Sequence, residues 1–166
     1  MSEGDYLVRQ LADRDWDVVV ELEHDAYAAD GLSEGREALM SRAVASPTTC
    51  FVLERDGAVC GYLLSLPYPL LQCPDLSRVE ETVFTSENLH VHDVVIAKEL
   101  RSQNLAEVLM VEFRSKADEL GYQSLSMVAV RGSEILARLL GFRSNREVAL
   151  PASYGRRAVY MSMPLH

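Results

Sequence analysis

Residues Leu89 to Ala106 read LHVHDVVIAKELRSQNLA. The first half is rich in β-branched residues and carries histidines at 90 and 92, which is strand chemistry. Arg101-Ser102-Gln103-Asn104 follows as a short polar turn, and Leu105 opens a long amphipathic segment. A strand that feeds a helix through a tight polar turn is an anion site, because the first helical N–H groups lack internal partners. The same segment places a titratable base one strand-length from that turn, as proton transfer to or from a bound substrate requires.

Working outward, Tyr6 to Gln10 alternates as a strand. Asp13 caps a helix that runs to about Tyr27, with Trp16, Val19, Val20 and Tyr27 at helical spacing. Gly31 ends this region, and Ser33 starts a second helix to about Ala45. Thr49 to Arg55 and Val59 to Leu66 flank Asp56-Gly57, a hairpin signal. Residues 67–86 form a long loop with Pro67, Pro69 and Pro74, and loops of that length are often functional. Asn88 to Ile96 is the next strand. Leu105, Leu109, Phe113, Ala117 and Leu120 form one helical face, which stops at Gly121. Gln123 to Val130 is a strand, Gly132-Ser133 starts a short helix, and Phe142 to Leu150 and Ala158 to Met163 are the last strands. The order is β-α-α-β-β-β-α-β-α-β-β. A hairpin followed by one helical crossover predicts an α/β (α+β) fold: a mixed, mostly antiparallel sheet of about seven strands with helices on both faces.

The 166 residues, 48% of them hydrophobic, suit one domain over 1–166. A formal charge of −9 argues against nucleic acid as a partner and is compatible with cationic small substrates. No apolar run approaches a membrane span, and MSEGDYLVRQ has no signal-peptide pattern. Cys50, Cys60 and Cys73 are odd in number and lack C-x-x-C spacing. They read as small buried hydrophobes in a reducing, cytoplasmic setting.

The element order, the turn RSQNLA and the dipeptide Gly141-Phe142 resemble the GNAT superfamily of acyl-CoA N-acyltransferases over nearly the whole chain. That resemblance implies acetyl-CoA as co-substrate. Its pyrophosphate would sit on the turn amides of Arg101, Ser102, Gln103, Asn104, Leu105, Ala106 and Glu107. Its pantetheine arm would lie along Val94, Val95 and Ile96. Within the superfamily, His90-x-His92 is similar to the H-x-H of arylalkylamine (serotonin-type) N-acetyltransferases, where the pair relays the substrate's ammonium proton. ELEHDAY (Glu21 to Tyr27) is similar to the same subfamily's pocket-shaping helix. The chain departs from the family in three places. Asn104 stands where Gly is preferred. Leu105 replaces a common basic residue, with Glu107 adding negative charge that Lys98 and Arg101 would have to offset. Ala137 stands where the family often has a general-acid tyrosine.

Alternation puts His90 and His92 on one strand face and Asp93 on the other, as a structural acceptor. His92 is the expected base, with His90 and an ordered water as relay. Backbone N–H groups near Val94 and Val95 are the expected oxyanion donors. Tyr154, exposed in PASYG, is the expected replacement acid or part of the acceptor pocket, together with residues near Tyr27 to Ser33 and Tyr68 to Phe84. Asn104 and Glu107 also read as a capping box. Arg131 is a candidate phosphate contact. No metal site is expected, because His90 and His92 have no third ligand at suitable spacing. The three cysteines are expected to lie outside the site. A small-molecule amine is the expected acceptor. A protein N-terminus or lysine, and an acyl-CoA-binding domain without turnover, are the competing functions. Neither nucleic acid nor membrane is expected as a partner, and the sequence is compatible with a homodimer without fixing the oligomeric state.

Overall fold

The computed structural model describes residues 5–130 and 132–166, with the backbone alone for Ser102. The elements are β1 (Tyr6–Gln10), α1 (Trp16–Tyr27), α2 (Arg36–Val44), β2 (Phe51–Arg55), β3 (Ala58–Pro67), β4 (Asn88–Ile96), α3 (Leu105–Glu119), β5 (Ser124–Ala129), α4 (Glu134–Leu139), β6 (Arg143–Ser144) and β7 (Val159–Pro164). They form one seven-stranded sheet in the order β1-β2-β3-β4-β5-β7-β6. Every pair is antiparallel except β4 and β5. The expected mixed, mostly antiparallel architecture is therefore present.

Local chemistry explains the joints. Asp56 and Gly57 both have positive φ, 52° and 82°, as a two-residue hairpin turn demands. Helix α3 buries Leu105, Leu109, Phe113 and Ala117. It ends with Gly121 left-handed at φ 86° and the Tyr122 N–H bonded to the Ala117 carbonyl, a Schellman closure. Leu120, expected on the buried face, is instead 47% exposed, because the helix has already ended there.

Two cores flank the sheet. Leu89, Val91 and Ile96 of β4 join the α3 side, where Ala137 of α4 also lies. Val95 joins the α1–α2 side with Trp16, Val19, Leu39, Tyr62 and Leu64. The helices thus cover both faces.

The α1 N-cap is Asp15 rather than Asp13, most other ends shift by one or two residues, and two boundaries differ by more, each for a physical reason. The strand expected over 142–150 is only Arg143–Ser144. The Asn145 N–H still bonds the Tyr160 carbonyl, and the chain then turns away as the Val148 N–H closes back on the Asn145 carbonyl at 3.3 Å. Helix α2 begins at Arg36, not Ser33. Buried Glu23 captures the Ser33 hydroxyl (2.5 Å) and the Glu34 N–H (2.8 Å), and Gly35 sits at φ 90°. Residues 33–35 are therefore held outside the helix.

Candidate active site

The site is built on an irregularity in β4. Leu64 pairs with Asp93 and Ser65 with Val91, so His92 is an extra residue, a β-bulge. A bulge shifts the side-chain alternation by one residue. This overturns the expectation that His92 and Asp93 face opposite sides: both line one cavity, with Tyr27, Glu34, Leu76, Val128 and Tyr154. The cavity measures about 40 Å³, room for a few waters.

The second irregularity lies on the other edge of β4. Its parallel pairing with β5 stops at Val91–Met127. From His92 onward, β4 pairs with β3 alone among the described residues, which leaves a strand edge of backbone donors and acceptors.

Within the cavity, Glu34 Oε2 lies 2.7 Å from His92 Nε2. The His92 side chain has no solvent exposure, and its Nδ1 has no partner among the described residues. A carboxylate on Nε2–H fixes the tautomer in which Nδ1 carries the lone pair. Burial acts to raise the Glu34 carboxyl, but His92 and the Arg42 guanidinium outweigh it and hold it below the usual carboxylate range. Glu34 is not among the residues that the sequence singles out; Gly35 beside it is the available sign that the helix starts later.

Asp93 accepts hydrogen bonds from Tyr62 Oη at 2.5 Å and Tyr27 Oη at 2.9 Å. Burial pushes its carboxyl up to about 7, against the pull of the Tyr62 hydrogen bond and His92. His90 lies deeper. Its Nδ1 is 2.8 Å from Ser126 Oγ, which also accepts from Asn88 Nδ2, and its ring stacks on Tyr160. Burial, with repulsion from His92 and Arg42, drives the His90 imidazole down to about 3, so it is neutral near pH 7. His90 and His92 share a side of the strand but not a hydrogen-bond network.

Tyr154 does reach the cavity, but it is buried rather than exposed, and its hydroxyl donates to the Pro74 carbonyl at 2.8 Å. Burial pushes its phenol well above the usual range. Cys73 adjoins Pro74, whose carbonyl Tyr154 holds, and none of the cysteines is among the residues that line the cavity; burial lifts the Cys73 thiol to about 11. Ala137 is buried in the core, so no side chain there replaces the missing tyrosine.

At the far end of β4, Lys98–Gln103 forms a 3₁₀ turn and Asn104 is left-handed at φ 57°, a conformation Gly adopts most easily. Asn104 makes no capping bond, so the capping-box reading fails: the left-handed backbone turns the side chain away from the helix amides. Leu105 is buried in the core; Lys98, Arg101 and Glu107 are exposed, and Arg101 Nε bonds the Ile96 carbonyl. Gln103 accepts from Tyr6 Oη. An unpaired strand edge beside Val94, leading to an uncapped helix start flanked by Lys98 and Arg101, fits an extended, amide-bearing, phosphorylated ligand. Arg131 lies outside the described residues. No group of three or more His, Cys, Asp or Glu side chains placed to hold a metal occurs among the described residues.

Residues 9–142 match the acetyltransferase (GNAT) family. The chain belongs to that family. Its family is one of acetyltransferases, and its sheet is the GNAT one. No curated protein matches the sequence. Among solved structures, it is similar to the loading GNATL domain of CurA from Lyngbya majuscula. That pair has a TM-score of 0.81 and 16% identity, covering 97% of this chain and 98% of that one. It is also similar to N-acetylglutamate synthase from Neisseria gonorrhoeae complexed with coenzyme A and N-acetylglutamate. The TM-score is 0.74 at 17% identity, over 99% of this chain and 36% of that one. A third is the PaiA N-acetyltransferase from Thermoplasma acidophilum in complex with coenzyme A. Its TM-score is 0.70 at 11% identity, over 96% and 99% of the two chains. At these identities the likeness is one of fold. The narrower arylalkylamine likeness rests on His90-x-His92 and the stretch Glu21 to Tyr27, and these comparisons do not show it. No helix among the described residues of this acetyltransferase is long and apolar enough to cross a membrane.

Proposed function

We propose that this acetyltransferase moves an acetyl group from acetyl-CoA to a small primary amine, with His92 as the base and Glu34 as its orienter. The observation that carries the reading is a buried imidazole that lines a cavity, bonded through Nε2 to a carboxylate, with Nδ1 unpartnered among the described residues. An amine of pKa about 10.4 arrives as an ammonium and must lose a proton before it can react. His92 Nδ1 accepts that proton, while Glu34 stabilises the imidazolium that results. Asp93, ionising near neutrality, adds attraction for the cation.

Acetyl-CoA, when bound, supplies the activated acyl carbon. The residues that would hold it are Val94, Val95 and Ile96 along the strand edge and the amides of 101–107 at the turn. N–H groups near Val94 and Val95 are the donors assigned to the developing negative charge on the acyl oxygen. Tyr154, with its phenol raised, is a weak proton source for a thiolate; the thiolate, with a free-thiol pKa of about 8.5, takes a proton from water at neutral pH. Tyr154 then serves as a wall and anchor rather than an acid.

The small volume of the cavity, about 40 Å³, favours a small acceptor over a peptide, which needs an open channel. The test is thiol release from acetyl-CoA with small amines, amino acids and N-terminal peptides, for wild type and His92→Ala. The expected result is turnover on small amines and about a 100-fold loss or more in His92→Ala, with coenzyme A binding kept. Equal rates in the two proteins, or a preference for peptides, would overturn the reading.

A further inference from the structure

Arg42 is the largest fully buried side chain, at 1% exposure, and all of its identified partners are in or around the site. Nη2 donates to Glu34 Oε1 at 3.0 Å, to the Asp75 carbonyl at 2.9 Å and to the Arg78 carbonyl at 2.7 Å. Nη1 reaches Glu80 Oε2 at 3.4 Å. A second tie from α2 comes from Ser41, whose hydroxyl accepts the Glu80 N–H at 2.9 Å. The opposite flank of the same loop is pinned by the C-terminal segment. Ser153 Oγ donates to Asp75 and accepts from the Leu76 N–H, and Tyr154 holds the Pro74 carbonyl. Leu76 itself lines the cavity beside His92. A single guanidinium thus joins the loop over 68–87 to the carboxylate that holds the imidazole.

We propose that Arg42 is a positioning residue that welds the closed loop to the Glu34–His92 pair, so that loop closure and the readiness of the base form one unit. The proposal rests on the reading of His92 as base. Arg42 carries one positive charge between two carboxylates, Glu34 and Glu80, so the cluster keeps a net negative charge beside the imidazole. The other groups facing His92 are Asp93 and His90 on β4, Tyr27 on α1, Tyr62 on β3 and Tyr154 from the C-terminal segment. The charge balance of the loop clasp then sets how readily His92 accepts a proton. An open loop would withdraw Glu80 and free Arg42, which weakens the base while the cavity is open to water.

Two readouts test this. The first is the acidic limb of kcat/KM against pH. Glu80→Gln removes a negative charge, disfavours the imidazolium and moves the limb to lower pH. Arg42→Gln removes the positive charge and moves it to higher pH. Shifts of about half a pH unit are expected, in opposite directions. The second is tryptic cleavage after Arg78. Its side chain is 83% exposed, but its carbonyl, part of the scissile bond, is held by Arg42. Arg42→Gln and Arg42→Lys should both speed that cut about tenfold or more, since neither keeps the full set of bonds. Arg42→Lys, which keeps the charge, should leave the limb near its wild-type position. If Arg42→Gln does not fold, Glu80→Gln and Arg42→Lys carry the test. If His92→Ala abolishes the limb but Glu80→Gln leaves it unmoved, the coupling is wrong while the base stands. Unchanged cleavage in Arg42→Lys also overturns the proposal. If His92→Ala retains the limb, the base assignment has failed and takes the coupling with it.

Discussion

Glu34 Oε2 sits 2.7 Å from His92 Nε2, while His92 Nδ1 has no partner among the described residues. The pair therefore divides the two ring nitrogens into a held side and a working side. Glu34→Gln keeps an acceptor for Nε2–H but removes the charge that stabilises the imidazolium. Turnover should fall about tenfold in Glu34→Gln, and about 100-fold in Glu34→Ala, where the tautomer is also freed. Steady-state kinetics on a small amine check this. Undiminished turnover in Glu34→Ala would remove the pair from the mechanism.

Asp93 gives the site a pH-dependent stability of unusual sign. Its carboxyl is raised from the ordinary 3.8 to about 7 by burial. A group that holds its proton more tightly when folded favours the native state at low pH, and that contribution fades as pH rises from about 4 to about 7. Asp93→Asn cannot ionise, so it escapes the loss. Urea unfolding should show the variant gaining on wild type between pH 5 and pH 8, by a few kcal/mol at most. A constant difference across that range would mean that Asp93 stays ionised in the fold.

His90 carries the opposite dependence. Burial depresses its imidazole to about 3, well below the ordinary 6.5. The unfolded chain then takes up a proton that the folded chain refuses, and stability falls as pH drops from about 6.5 toward 3. His90→Gln lacks this titration. Its denaturation midpoint should fall less than that of wild type between pH 7 and pH 4.5, whatever the absolute cost of losing the contacts with Tyr160 and Ser126. In activity, His90→Gln should keep the acidic limb that His92→Ala loses, because a neutral, Ser126-bonded ring is not the group that titrates.

Much of the fold is legible because it is written in local signals: Asp56-Gly57 at the hairpin, Gly121 after α3, and β-branched runs at β4 and β5. The turn at the far end of β4 is legible for the same reason, since Arg101 to Ala106 is one contiguous stretch; its role toward coenzyme A is a proposal. The chemical end is not. The bulge at His92 depends on the register of β3 against β4, which no period in either strand records. Glu34 reaches His92 across 58 residues of sequence, and Arg42 reads as an ordinary polar residue on a short helix. Tyr154 reads as exposed because PASYG is a polar loop; its burial comes from the Pro74 carbonyl, 80 residues away in sequence.

Tyr154→Phe separates an anchor from an acid. The substitution removes the hydroxyl that donates to the Pro74 carbonyl and leaves the ring in the cavity wall. An anchor predicts a loss of about 1 kcal/mol in stability, faster proteolysis in the 68–87 loop, and a rise in KM larger than the fall in kcat. A drop in turnover of about 100-fold, with KM unchanged, would instead make the phenol a proton donor, and the alkaline limb of the pH profile would move with it.

Asn104 is the test of the turn. Its φ of 57° is tolerated by Asn, easier for Gly, and costly for a β-branched residue, by about 1–2 kcal/mol. Asn104→Gly should fold as well as wild type and bind coenzyme A at least as tightly by calorimetry. Asn104→Val should melt several degrees lower and bind at least tenfold more weakly, because strain at the turn re-aims the amides at the start of α3. His92→Ala, at the other end of β4, should leave that affinity within about twofold. The three variants together distinguish a turn that holds the phosphates from one that only starts a helix: in the second case all three would bind alike. If wild type itself shows no association with coenzyme A, the open edge and the turn have been misread.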